Sequence, residues 1–182
     1  NGLNITGGDL ITTEALNVEG TEFADTITGI DGDDTLVGGL GDDILTGGIG
    51  QDSLFGGEGN DALFAGDDDD AVYGNDGDDT IDAGDGNDSI MGGDGADSIL
   101  AGDGDDAIFI EEDEFADGEV IDGGDGDDTI FYSGEDDDVL TLSGDVVNVE
   151  FIELTGGNDV GVDASAIDSL LNITGNGSDN LI

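Results

Sequence analysis

The chain has 182 residues, 49 of them Asp or Glu and none Lys, Arg or His, so its formal charge is −49 and any compensation must come from outside, as bound cations, counterions or a basic partner. With no basic patch, direct nucleic-acid binding is excluded. With no Cys or His, disulfides, thiolate sites and the usual zinc, copper and haem ligand sets are excluded too, which leaves carboxylate and carbonyl oxygens, the donors that suit calcium.

An acidic disordered tail is the plain alternative for such a charge. Against it, 35% of the residues are apolar and recur at fixed spacing, and Pro is absent. No apolar run approaches a membrane span, so membrane insertion is not expected. No basic-then-apolar signal opens the chain. Its first residue, Asn1 rather than Met, points to a processed chain or an excised piece.

Residues 1–19 read as a strand-rich flanking segment or cap. Leu3-Asn4-Ile5-Thr6-Gly7 and Asn17-Val18-Glu19 are its strand-forming stretches.

From Gly20 to Phe109 the chain is ten consecutive nine-residue units without insertion: GTEFADTIT, GIDGDDTLV, GGLGDDILT, GGIGQDSLF, GGEGNDALF, AGDDDDAVY, GNDGDDTID, AGDGNDSIM, GGDGADSIL and AGDGDDAIF. Position six is always Asp: Asp25, Asp34, Asp43, Asp52, Asp61, Asp70, Asp79, Asp88, Asp97 and Asp106. Position eight is always aliphatic, from Ile27 and Leu36 to Ile99 and Ile108. Glycines at positions one, two and four permit positive φ and a tight turn. Positions seven to nine, such as Thr35-Leu36-Val37, predict a very short strand with its central aliphatic pointing inward. Two units then make one coil of a flattened solenoid. Residues 18 apart stack at the strand spacing of about 4.8 Å.

That stacking predicts two rows of carboxylates. One holds Asp25, Asp43, Asp61, Asp79 and Asp97; the other holds Asp34, Asp52, Asp70, Asp88 and Asp106. Neighbours about 5 Å apart repel by roughly 1 kcal/mol in water and by several at an effective dielectric near 20. A divalent cation between neighbours relieves this. Calcium accepts six to eight oxygens, which two Asp carboxylates and the carbonyls of two turns can supply. Asx-turns alone would explain one or two such Asp residues, not an invariant row. Four gaps per row give about eight calcium ions in the main roll, with affinities of about 10⁻⁴–10⁻³ M as in extracellular modules.

These units resemble the GGxGxDxUx repeats of RTX (repeats-in-toxin) proteins. The resemblance implies an all-β parallel β-roll, calcium between its turns, and export of the unfolded chain through a one-step secretion channel, hence a secreted, extracellular or cell-surface location. Two units depart from the pattern. Ala65 and Asp68 replace Gly at positions one and four of residues 65–73, and Phe23 stands at position four of Gly20–Thr28.

Residues 110–140 combine a loop insertion with the last repeat-like turns. In IEEDEFADGEVID, Glu111, Glu112, Asp113 and Glu114 read as a solvated loop, with one further cation site as the alternative. The repeat returns as GGDGDDTIF at Gly123, making Asp128 a ligand and Ile130 core; YSGEDDDVL then retains Asp137 as a candidate ligand and Val139. Residues 141–182 read as a strand-rich spacer or cap, with an alternation that starts at Leu140 and runs through Leu142, Val147, Val149 and Phe151, and a short helix over Asp163–Leu171. The segments VNVEFIELTGG and DASAIDSLLNITGNGSD loosely resemble spacer modules of large RTX adhesins and surface-layer proteins. Leu171-Asn172-Ile173-Thr174-Gly175 repeats the LNITG of the first residues. It fits a module copied in a longer array, an end coil that stacks on the next subunit, or a common local solution for a strand.

Two functions share this fold. One is a calcium-rigidified structural module of an adhesin, surface layer or filament, stacking head to tail on itself or on neighbouring repeats. The other is the calcium-triggered folding module of a larger secreted enzyme or toxin. Catalysis by the chain itself is not expected, since only carboxylate chemistry of the glycosidase kind remains to it.

Overall fold

The structure, a computed structural model, describes residues 4–6, 15–111, 118–134, 139–142, 145–155, 160–163 and 172–175. Its elements in chain order are β1 (Asn4–Thr6), β2 (Asn17–Glu19), β3 (Thr26–Thr28), β4 (Thr35–Leu40), β5 (Ile44–Ile49), β6 (Ser53–Glu58) and β7 (Ala62–Asp67). Then come β8 (Ala71–Asp76), β9 (Thr80–Asp85), β10 (Ser89–Asp94), β11 (Ser98–Asp103), β12 (Ala107–Glu111), β13 (Val120–Asp125) and β14 (Thr129–Ser133). The last five are β15 (Val139–Thr141), β16 (Val146–Val147), β17 (Phe151–Leu154), β18 (Gly161–Asp163) and β19 (Asn172–Thr174).

Alternate strands go to alternate sheets. An eight-stranded sheet runs β1-β3-β5-β7-β9-β11-β13-β16, and a nine-stranded sheet runs β19-β17-β14-β12-β10-β8-β6-β4-β2. The pairing is parallel, and through the repeats its register is 18 residues, as in Leu36↔Leu54 and Leu45↔Leu63. Two nonapeptides therefore make one coil, and the chain is a parallel β-solenoid. The core is one column of aliphatic side chains from each sheet: Leu36, Leu54, Val72, Ile90, Ile108, Ile130 and Ile152 facing Ile27, Leu45, Leu63, Ile81, Ile99 and Ile121.

The strands of the roll are longer than expected. From β4 to β11 each has six residues, spanning positions seven to nine of one unit and one to three of the next. Their burial alternates so that positions eight and one both face inward. Position one is thus a second core position, held by Gly or by the buried Ala65, Ala83 and Ala101. It carries no positive φ. The left-handed residues sit at positions two and four, such as Gly39 (φ 114°) and Gly41 (φ 106°). Asp68 (φ 84°) and Asn75 (φ 76°) take the same conformation without being Gly, and Asp and Asn tolerate it best. The departure at Asp68 therefore leaves the turn intact.

After β12 the coil widens. Ser98 pairs with Val120 and Ala107 with Thr129, a register of 22 in place of 18. Glu111 closes β12; Glu112, Asp113 and Glu114 lie outside the described residues. Strands β13, β14, β16 and β17 continue both sheets, so the solenoid extends past the nonapeptides, while β15 and β18 pair with each other in a two-stranded sheet. Asp163, expected to begin a helix, ends β18, and residues 164–171 lie outside the described residues. The two LNIT stretches are not equivalent: β1 is the end strand of the eight-stranded sheet and β19 that of the nine-stranded sheet.

Candidate metal centre

Each position-six Asp closes its turn just before a strand, where the short strand and the left-handed glycines bring it under the next coil. From Asp43 onward its Oδ1 accepts a hydrogen bond from the backbone N–H of the Asp one coil earlier, and Asp34 Oδ1 accepts from Leu16 N. Asp25 N donates to Asp43 at 2.7 Å, Asp43 N to Asp61 at 2.8 Å and Asp61 N to Asp79 at 2.7 Å. In the second row Asp34 N donates to Asp52, Asp52 N to Asp70, and Asp70 N to Asp88, at 2.7–2.8 Å. The 18-residue stacking brings both expected rows together, with all ten Asp at 1–3% exposure.

The second oxygen decides the chemistry. The Oδ2 atoms of Asp43, Asp52, Asp61, Asp70, Asp79, Asp88, Asp106 and Asp128 are buried and have no hydrogen-bond partner among the described residues. A carboxylate oxygen in that state costs several kcal/mol unless a proton or a cation meets it. Other oxygens converge on it. A Cβ built on Gly38 would run into Asp43 Oδ2 and stand 2.6 Å from the Gly56 carbonyl oxygen of the next coil. Gly56 repeats this with Asp61 Oδ2 and the Gly74 carbonyl, the latter again at 2.6 Å. Where position one is Gly, its missing Cβ thus leaves a cradle into which a carboxylate and a carbonyl from adjacent coils converge; Asp70, Asp88 and Asp106 instead have Ala65, Ala83 and Ala101 at that position. These are hard oxygens in the arrangement that calcium accepts. Each gap holds a pair of carboxylates with carbonyls; no cluster of three or more acidic side chains suited to a metal occurs among the described residues.

Electrostatics agrees. Burial, reinforced by neighbouring carboxylates, pushes Asp43, Asp52, Asp88, Asp106 and Asp128 up to about 6, although a backbone N–H bond opposes the shift in each. Asp70 and Asp79 rise to about 7 for the same reasons, and Asp61 is also raised, chiefly by burial. Such groups keep their protons to a higher pH than an ordinary carboxyl in the metal-free fold, or give them up to a cation.

The model of the RTX calcium-binding nonapeptide repeat (4 copies) matches residues 19–54, 46–81, 55–90, 82–109 and 119–140. The chain belongs to this family. No match appears among curated proteins or solved structures.

Within this RTX roll the first coil differs from the others. Thr21 N and Ile30 N donate to Asp25 Oδ2 and Asp34 Oδ2 at 2.5 and 2.7 Å. Position two in those units is not Gly, so the N–H turns onto the carboxylate instead. Asp128 joins the second row, accepting from Asp106 N at 2.9 Å. Asp137 lies outside the described residues. Two acidic residues missed in the sequence reading extend the rows. Asp97 N donates to Glu119 Oε2 at 3.3 Å, and Asp128 N to Glu150 Oε2 at 2.9 Å. A signal for both existed: Glu119-Val120-Ile121 and Glu150-Phe151-Ile152 place an acid two residues before an inward aliphatic, as every repeat does.

Proposed function

We propose that this RTX chain is a calcium-dependent structural module of a secreted or cell-surface protein, folding and stiffening as calcium fills both rows. The observation that carries this reading is the series of buried, unpartnered Oδ2 atoms, those of Asp43, Asp52, Asp61, Asp79 and Asp128 beside a glycine cradle. Asp43, Asp61 and Asp79 hold ions in one row, with Asp25 and Asp97 at its ends. Asp52, Asp70, Asp88, Asp106 and Asp128 hold them in the other, with Asp34 at its start. Bound calcium supplies the positive charge that the chain itself lacks, and it binds the fold alone, so each site adds RT ln(1 + [Ca]/Kd) to stability. The role is structural and not catalytic.

Membership of the family supports export, with folding delayed until the chain meets extracellular calcium. End-to-end stacking is supported by β1 and β19 standing last in their sheets among the described residues, since an open strand edge recruits a partner. The experiment is circular dichroism with light scattering during a calcium titration from EDTA. The strand signal rises with calcium, and scattering rises with it as copies stack. A full strand signal in EDTA contradicts the folding role; a folded chain that stays monomeric at high concentration contradicts stacking.

A further inference from the structure

We propose that Asp128, Asn148 and Glu150 form a further calcium site where the last nonapeptide meets the chain beyond the repeats, closing the second row with a glutamate. The region matched by the family model ends at residue 140, so the motif does not assign this site. It rests on the reading that calcium fills the rows.

Three observations build it. Asp128 is 0% exposed, and its Oδ2 has no hydrogen-bond partner among the described residues. That oxygen points into a cradle of the same kind as those in the roll: a Cβ on Gly123 would stand 2.6 Å from Asp128 Oδ2 and clash with the Asn148 carbonyl oxygen. Asn148 therefore fills the place held in the repeats by the position-one carbonyl of the next coil. Glu150 fills the place of the next Asp, since its Oε2 accepts the Asp128 N–H at 2.9 Å.

The residue types follow from a shortened turn. In the repeats the carbonyl and the carboxylate come from residues five apart, such as Gly56 and Asp61; here they come from Asn148 and Glu150, two apart. A shorter turn leaves the acid further from the gap, and the extra methylene of Glu restores the reach. Asn148 adopts the left-handed conformation (φ 52°), and its Nδ2 donates to Asp122 Oδ1 at 2.7 Å, which ties that carbonyl to the preceding coil. Glu150 is anchored by its own N–H and that of Phe151, which donate to the Asp128 carbonyl at 3.2 and 3.0 Å. Two carboxylates and a carbonyl match a hard divalent ion in charge and donor type.

The test is a count of calcium bound to the full chain by equilibrium dialysis at saturating calcium, with circular dichroism on the same samples. Glu150→Gln should bind one ion fewer than the parent chain and keep its strand signal. Glu150→Asp should lose the same ion, because it keeps the charge but not the reach. Glu153→Gln, on the exposed side of β17, should lose none. An unchanged count in Glu150→Gln overturns the proposal, as does retention of the ion in Glu150→Asp or its loss in Glu153→Gln. Loss of all ions together with the strand signal in Glu150→Gln also overturns it, since Glu150 would then be a folding element and not a ligand. A parent chain that binds no calcium refutes the function proposed for the rows, a different result from any of these.

Discussion

Two sets of carboxylates run along the same turns of this solenoid, one residue apart in sequence, and they are built differently. At position six every residue is Asp and every one is buried. At position five the residues are exposed or half-buried, and through the ten consecutive units charge alternates: Asp33, Gln51, Asp69, Asn87 and Asp105 on one edge, Asp42, Asn60, Asp78 and Ala96 on the other, before Asp127 follows Asp105 directly. Both sets bind backbone N–H groups 18 residues away; Gln51 N donates to Asp33, Asn87 N to Asp69, and Ala96 N to Asp78 at 2.9–3.1 Å. Hydrogen bonding alone therefore does not require Asp, because Asn60 and Asn87 accept such bonds at position five just as well. Where the row faces only water, charges are spaced about two coils apart, near the Debye length at physiological salt. Where the row is buried, charges stand in every coil, although repulsion there is several times stronger. The difference is what the proposed cation in the buried row accounts for.

That contrast can be broken most sharply with two adjacent residues. Asp79→Asn removes one charge and a donor shared by two gaps, whereas Asp78→Asn removes the same charge from the exposed row. In a calcium titration followed by circular dichroism, Asp79→Asn should raise the folding midpoint about ten-fold or more, the equivalent of ~1.4 kcal/mol or more. Asp78→Asn should shift it by less than about two-fold, as expected of an exposed charge. Equal shifts would reduce both rows to a diffuse counterion cloud.

The next effect is on pH. Asp70 and Asp79 are raised to about 7, and Asp43, Asp52, Asp88, Asp106 and Asp128 to about 6, against an ordinary value of 3.8. Between those values the metal-free fold binds more protons than the unfolded chain, so its stability falls as pH rises from about 4 to about 7 and returns on acidification. Protons stand in for calcium. In EDTA the strand signal should be larger at pH 4.5 than at pH 8, and at pH 6 folding should need no more calcium than at pH 8, because protons and calcium both bind the fold in preference to the unfolded chain. A metal-free strand signal that weakens on acidification would oppose this account of the buried row.

A smaller effect sharpens the role of the glycines. Gly56→Ala puts a methyl group into the cradle of Asp61 Oδ2 and the Gly74 carbonyl, while Ala83→Gly empties a position where the fold already accommodates Ala. Gly56→Ala should raise the calcium midpoint by roughly three- to ten-fold, a cost of about 1 kcal/mol for moderate overpacking. Ala83→Gly should shift it less, through the added freedom of the unfolded chain. If Gly56→Ala changes nothing, position one is merely small and frames no site.

Much of this was legible from period alone. Nine-residue units fix which residues stack, so the 18-residue register, the aliphatic columns and the two Asp rows could be read before any coordinates. What period does not carry is distance across coils. The need for Gly at Gly38 or Gly56 comes from an oxygen on another part of the turn, not from φ, and only the folded coil reveals it. The six-residue strands were missed for the same reason: glycines at positions one and two weaken strand propensity, and cross-coil pairing overrides it. Glu119 and Glu150 were passed over because the turns before them lack the glycine pattern, although their spacing to Ile121 and Ile152 matches that of each Asp to its core aliphatic.

The central claim is that ions sit between the buried Asp of successive coils, and the most direct measurement is an anomalous difference map from crystals grown in calcium. The account predicts peaks along both rows, each about 2.3–2.6 Å from an Oδ2 of Asp43, Asp61, Asp79, Asp52, Asp70, Asp88 or Asp106, with turn carbonyls completing the shell. Peaks confined to the exposed Asp33, Asp69 and Asp105 edge, with no density beside the buried Oδ2 atoms, would contradict it.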